Sequence, residues 1–338
     1  MISFKALRFT ILLSTVSVVV ALHSNATTFK IATTAPDGTA LMVELRAAAK
    51  IVEERTDGTV KFKFYTGGVM GDDFTVKRKI RARQLHGGIV QTSAYINDLP
   101  NLSLYTLPML FRDHEEVASV RRKLDSSLMG ELEDFGVIPI GFTAVGFAYA
   151  MGTKRLDTIQ DIRRSKVWTP KDDPIAEQNL KVFGITPIPL PVGDVLTGLQ
   201  TGLINTIASP PVAAIALQWH TQVKYMLDIP LQYVYTIYSL DQRRFNRLSD
   251  PHQQVVLSEM SSALTRAEKQ LIEEHDEAIE VMLEQGVELI TPSANALAEW
   301  QRLSQDAVTR WLDRDMVDRE HYKLLENALE QFRNEHSP

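Results

Sequence analysis

The sequence predicts an α/β protein of two lobes with mixed, mainly parallel sheets and a helical C-terminal part, on three observations. Two separate sets of short strands alternating with helices occupy residues 29–91 and 137–202. From residue 250 to 331 the pattern is helical almost throughout. A length of 338 residues also exceeds the usual single core, which makes two lobes the default.

The first 26 residues stand apart. Lys5 and Arg8 precede an apolar run from Phe9 to Leu22, and Ser24-Asn25-Ala26 supplies small residues before a cut, the pattern of a cleavable signal peptide. The run is shorter than the roughly 20 residues of a spanning helix, and Ser14, Thr15 and Ser17 interrupt it. Cleavage after Ala26 is therefore favoured over a retained anchor, and no later stretch is apolar enough to span a bilayer.

Phe29 to Thr33 reads as a strand, and after the turn Ala35-Pro36-Asp37-Gly38 a helix carries Leu41, Leu45, Ala48 and Val52 on one face. In the next strand Val60, Phe62 and Phe64 alternate with Lys61 and Lys63, as a strand with one wet face requires. Gly67 to Asp73 turns into a second helix expected to end near Gly87-Gly88, before the strand Ile89 to Gln91. The second set places strands near Val137 to Phe142, Lys166 to Thr169 and Thr186 to Pro189, with helices near Pro174 to Phe183 and Asp194 to Gly202. Ser249-Asp250-Pro251 signals a helix start with a capping side chain and an early proline. One break, Gly286 to Ser293, contains the strand-like piece Val287 to Ile290.

Composition excludes several classes. The formal charge of -6 becomes 34 minus 42, or -8, when Lys5 and Arg8 leave with the signal peptide, so nucleic acid is not expected as a partner. The chain has no cysteine, which removes disulfides, thiolate metal sites and cysteine nucleophiles. No Gly-x-Ser-x-Gly elbow, His-Glu-x-x-His pair or phosphate loop occurs, and no two of the eight histidines have metal-ligand spacing. Neither an enzyme nor a cofactor or metal site is expected.

Several motifs then occur in order: Gly58-Thr59-Val60-Lys61-Phe62, Tyr65 through Asp73, Leu107-Pro108-Met109-Leu110-Phe111-Arg112, Lys166-Val167-Trp168-Thr169-Pro170, and Pro191-Val192-Gly193-Asp194-Val195 continuing to Asn205. Together they resemble the periplasmic solute receptors of TRAP transporters, of the DctP type, over essentially the whole mature chain. The resemblance implies a periplasmic-binding-protein-like fold with two lobes joined by crossing hinge strands, Tyr233 to Leu240 among them, and a solute held in the cleft. It suggests residues 27–148 with about 236–280 as one lobe and 149–235 with about 281–338 as the other. It also implies delivery of the solute to TRAP permease subunits and membrane contact only through that permease; a monomer is expected of a delivery protein that docks through both lobes, with the helical tail from Ala294 to His336 leaving a dimer open. An extracytoplasmic sensor subunit that signals to a membrane receptor is the alternative.

The departures fall on the positions that the resemblance marks as gripping solute. Trp168 stands where the family puts its carboxylate-binding arginine, Ala148 where many members have a second arginine, and Ser209 where asparagine is common. Arginine holds carboxylate by two parallel charge-assisted bonds, whereas tryptophan offers one N–H and a broad apolar face. The expected solute is therefore neutral, hydroxylated or aromatic, unless Lys166, Lys171 or Arg112 replaces the missing cation. Thr34, Gln91, Thr92 and Ser93 follow strands whose carboxyl ends would line a crevice, and Thr236 would reach it from the hinge side. Asp73 reads equally as a helix-start residue or a solute contact, Phe147 and Tyr149 as cleft aromatics or core. Trp219 reads as packed, and His275 with Asp276 as a solvated helix face.

Overall fold

The structure, a computed structural model, describes residues 26–171, 173–314 and 316–336, except for the side chains of 174 and 175. The expected signal peptide up to residue 25 lies outside the described residues. The chain opens with β1 (Thr27–Thr33), α1 (Ala40–Arg55), β2 (Val60–Tyr65), α2 (Asp73–Arg81) and β3 (Gly87–Gln91), with β1 parallel to both β2 and β3. α1 buries Met42, Leu45, Ala48 and Val52, while Leu41 is only half-buried and turns to the cavity described below. Phe62 stacks on Phe29 at 5.3 Å between ring centroids, which covers the apolar face of the edge strand β2.

The second helix stops at Arg81, not at the two glycines. Gly87 and Gly88 belong to β3 because their neighbours leave no room for side chains. A Cβ on Gly87 would lie 2.5 Å from the Ser239 carbonyl oxygen, and one on Gly88 would lie 2.7 Å from Val76.

α3 (Ser93–Ile96), a 3₁₀ turn at Pro100–Thr106 and α4 (His114–Asp134) lead into β4. Here the structure is simpler than the sequence pattern: β4 does not stop near Phe142 but runs unbroken from Val137 to Gly152. Its register shifts at Pro139/Gly141 and Ala144/Gly146, and Gly146 sits at φ 112°, left-handed space that favours glycine. Then come α5 (Ile159–Arg163), β5 (Trp168–Pro170), α6 (Pro174–Val182), β6 (Ile188–Leu190), α7 (Val195–Gln200), β7 (Thr206–Ser209), α8 (Pro211–Ala216), β8 (Tyr225–Leu227) and β9 (Gln232–Asp241). α9 (Gln242–Phe245), α10 (Asp250–Glu284), β10 (Glu288–Ile290), α11 (Ala294–Asp313) and α12 (Arg319–Glu335) complete the chain. The last part of the helical pattern is two helices, α11 and α12, and Asp318 caps α12 by accepting from the Glu320 and His321 backbone N–H groups.

Among the described residues the strands form one mixed sheet, in the order β10-β8-β4-β9-β3-β1-β2 with β7 also on β4, and a separate parallel pair, β5-β6. Every antiparallel pairing involves β4 or β9. The parallel pairs lie to either side, so β4 and β9 are the two strands that cross between the lobes. One apolar cluster gathers around Phe29, Leu45 and Met260, another around Ile159, Phe183 and Trp300, and the most extensive one includes Val76, Leu124, Phe142, Trp168 and Met226. α10, whose 35 residues give a length of about 50 Å, packs on α1, on β4 and on α8.

Two polar networks brace this frame. Beneath the crossing strands, the Arg121 Nε donates to Asp125 at 2.9 Å, its Nη2 donates to the Phe142 carbonyl at 3.2 Å, and its Nη1 pairs with Glu268 of α10. Asp125 also accepts from the Tyr105 hydroxyl at 2.6 Å, and the guanidinium lies 5.0 Å from the centre of the Tyr235 ring. At the C-terminal end, Arg333 donates to both oxygens of the buried Glu116, at 2.7 and 2.8 Å. α12 is thereby fixed on α4 and on Pro100–Thr106, segments that the expected division assigns to the first lobe.

Candidate functional site

A cavity of about 590 Å³ lies where the two lobes meet. From the first lobe, Thr34 follows β1 and Gln91, Thr92 and Ser93 close β3, so residues at the carboxyl ends of parallel strands wall one side. From the second lobe, Trp168 and Thr169 of β5 and Ser209 at the end of β7 wall the other, and Thr236 of the crossing strand β9 forms part of the back. These candidates, separated by up to about 200 residues in sequence, meet in one space.

Trp168 is 7% exposed, and its Nε1–H donates to the Leu190 carbonyl at 3.0 Å. That bond commits its one donor to the protein and leaves ring surface as its contribution to the wall. The ring packs edge-on against Trp219 at 5.2 Å, and Trp219 lines the same cavity. The Ser209 hydroxyl donates to the Pro210 carbonyl at 3.2 Å and the Thr236 hydroxyl to the Thr143 carbonyl at 3.4 Å. Both oxygens keep accepting capacity.

Phe147 and Tyr149 do not line this cavity. Phe147 packs on Tyr233 at 4.6 Å and on His114 at 5.1 Å, and Tyr149 lies 6.0 Å from His275. Both side chains are buried in this aromatic cluster, Phe147 3% and Tyr149 9% exposed, and that burial decides the outcome. His275 is buried with them, not on a solvated helix face. Burial pushes the His114 imidazole down to about 4, with the neighbouring His275 adding to the effect, and burial also lowers His275 itself.

Asp73 occupies a small recess beside the main cavity, shared with Gln91, Ser93, Lys171 and Asp173. Asp72, not Asp73, caps α2, accepting from the Thr75 N–H at 2.7 Å. Burial raises the Asp73 carboxyl to about 7, a backbone hydrogen bond from Gln91 opposes the rise, and the charges of Asp72 and Asp173 add to it. One of its oxygens has no protein partner.

The walls of the main cavity contain no lysine, arginine or histidine among the described residues, and they contain three carboxylates, Asp37, Asp173 and Glu274. Asp37 is paired with Arg46 at 2.6 Å, and Asp173 accepts from the Ala176 N–H at 2.9 Å. None of the candidate replacement cations reaches the cavity wall. Lys166 donates to the Gly202 carbonyl on the exterior, Lys171 borders only the small recess, and Arg112 is exposed beside Glu116. No group of His, Cys, Asp and Glu among the described residues is arranged to hold a metal ion, and no described helix is long and apolar enough to cross a membrane.

Residues 31–315 match the model of the bacterial extracellular solute-binding proteins, family 7, also called DctP. The 2,3-diketo-L-gulonate-binding periplasmic protein YiaO of Escherichia coli is 25% identical over 243 residues, 71% of this chain and 74% of that protein. An extracytoplasmic solute receptor of Bordetella pertussis that binds pyroglutamic acid superposes with a TM-score of 0.82 at 19% identity, covering 90% of this chain and 100% of the other. A sugar acid binding protein of Advenella mimigardefordensis, in complex with galactonate, gives 0.83 at 16% identity over 90% and 98%.

Proposed function

Because the chain belongs to family 7 of the bacterial extracellular solute-binding proteins, we propose that it captures a small uncharged solute between its lobes and delivers it to a TRAP membrane permease. The family is one of periplasmic receptors and not of enzymes. In this reading residues 27–148 with about 236–280 form the first lobe and 149–235 with about 281 onward the second, with α12 resting back on the first. The exported chain acts as a monomer, closing by rotation about β4 and β9.

A single observation carries the choice of solute: among the described residues the cavity wall has three carboxylates and no cation. The relatives named above bind or are named for organic acids. An acid enclosed here would be buried as an unpaired anion, at a cost of several kcal/mol per ion. Aromatic and aliphatic surface from Trp168, Trp219 and Leu217, with hydroxyls and the Gln91 carboxamide, suits an uncharged apolar or aromatic compound with few polar groups.

Thermal unfolding of residues 27–338 against organic acids, neutral polar compounds and neutral aromatic compounds tests this, since a solute that binds the folded state raises its melting temperature. The expected hits are neutral. Stabilisation by carboxylates alone would overturn the choice of solute. Trp168→Ala is expected to weaken binding of a hit by tenfold or more, in line with the roughly 1.5–3 kcal/mol held in a buried large apolar side chain, and calorimetric titration of the folded variant gives the number. Unchanged affinity would remove Trp168 from the binding surface.

A further inference from the structure

The cavity is not confined to the cleft. Its wall continues past β5 through Ile162, Leu180 and Phe183 into the interior of the second lobe, as far as Trp300 and Ser304 of α11. Three polar atoms in that inner part lack a protein partner: Oδ1 of Asn179 on α6, and Nε1 of Trp300 and Oγ of Ser304 on α11. Trp300 and Ser304 are 3% and 4% exposed, and one helical turn separates them on one face of α11. Asn179 stands one turn before Phe183, whose ring lies 5.5 Å from that of Trp300. Buried polar groups are ordinarily bonded, and each one left over needs an explanation.

We propose that this inner arm binds the far end of the solute, and that this end is an uncharged aryl or alkyl group terminating in a hydroxyl. The inference rests on the reading of the cleft as the solute site. A hydroxyl meets the inventory of the arm: its hydrogen is donated to the Asn179 carbonyl oxygen, its oxygen accepts from the Trp300 N–H, and Ser304 supplies either role. A carboxylate has no hydrogen for Asn179 and meets no cation there. A hydrocarbon end fits the aliphatic walls but leaves all three atoms unsatisfied. The outer cleft then recognises the body of the solute and the inner arm its terminus, so selectivity by length and by terminal group resides in the second lobe.

The test uses ¹⁵N-labelled protein, residues 27–338, titrated with p-cresol and separately with toluene. The four tryptophans give four indole N–H signals, and Trp300→Phe, which keeps an aromatic ring against Phe183, identifies the one that matters. In the free protein the Trp168 signal marks the hydrogen-bonded position, because its N–H already donates to the Leu190 carbonyl. The expected result is a downfield shift of the Trp300 signal with p-cresol and not with toluene, with p-cresol binding about tenfold tighter, the scale of one net hydrogen bond. In Trp300→Phe and Ser304→Ala that preference shrinks.

A Trp300 signal unmoved at saturating p-cresol, or already in the hydrogen-bonded position in free protein because a water fills the arm, would overturn the inner arm. If the Trp168 or Trp219 signals still respond, the cleft reading survives that failure. If no tryptophan responds and no compound raises the melting temperature, both fail.

Discussion

Arg121→Met is expected to lower the unfolding free energy by about 3 kcal/mol, the lower part of the range for breaking a buried ion pair. Methionine keeps most of the aliphatic stem and deletes the guanidinium, leaving Asp125 and Glu268 facing each other without their shared cation. Burial already pushes the Asp125 carboxyl up, and Arg121 with the Tyr105 hydroxyl holds it back. The carbonyl of Phe142 on β4 would lose a donor as well. Side-chain exposures of 16 to 24% across the three charges admit some solvent, which holds the loss to the lower end. Urea unfolding checks it, and Arg121→Met combined with Glu268→Leu should recover part of the loss because one stranded charge is removed. A loss under about 1 kcal/mol, the scale of an exposed pair, would show that water screens the site.

Asp73→Asn is expected to stabilise the protein at pH 8 and to have little effect near pH 4. The carboxyl is raised from 3.8 to about 7, chiefly by burial, so the folded state keeps its proton while the unfolded chain has lost it. Stability attributable to this group is therefore complete below about pH 4 and falls as pH rises from about 4 to 7; the full cost is present above that. The difference corresponds to roughly 4 kcal/mol, and asparagine, which cannot ionise, escapes it. The lowered His114 and His275 act in the opposite sense, losing stability as pH falls below their ordinary value of 6.5, so the measurement is the variant minus the parent at each pH. A difference that does not change with pH would mean that Asp73 is ionised in the folded protein. Asp173 shares the same recess, so the proton on Asp73 also eases the approach of two carboxyls there.

The regular elements were legible where one periodicity ruled. The face Leu45, Ala48, Val52 and the alternation from Val60 to Phe64 lie in elements close to where the pattern put them. Glycine misled in two directions. Gly87 and Gly88 look like a helix terminus but are strand residues under crowding from β9 and α2, and the strand expected to stop near Phe142 continues through a register shift at Ala144/Gly146 that no local pattern marks. Ser209 and the loop residues Thr34, Thr92 and Ser93 reach the cavity from strand ends, which sequence marks, and Trp168, the first residue of β5, was found through the motif that carries the resemblance. Trp219, Asn179, Trp300 and Ser304 were beyond reach: they sit on helix faces, and on a helix a wall residue and a core residue share the same spacing. Phe147 and His275 show the reverse limit, since pairing across β4, α4 and α10 decides their burial and no local pattern records it.

β9 lies between β4 and β3 in the sheet, yet it is made about 80 residues after β4 ends and about 140 after β3. Until Gln232–Asp241 exists, β3 and β4 each have an open edge, and the N-terminal segment has no complete sheet to close. Such long-range pairing makes for slow folding. In a chain emerging from the ribosome this sheet can therefore close only once residue 241 has been made, a late closure that suits a family of periplasmic receptors.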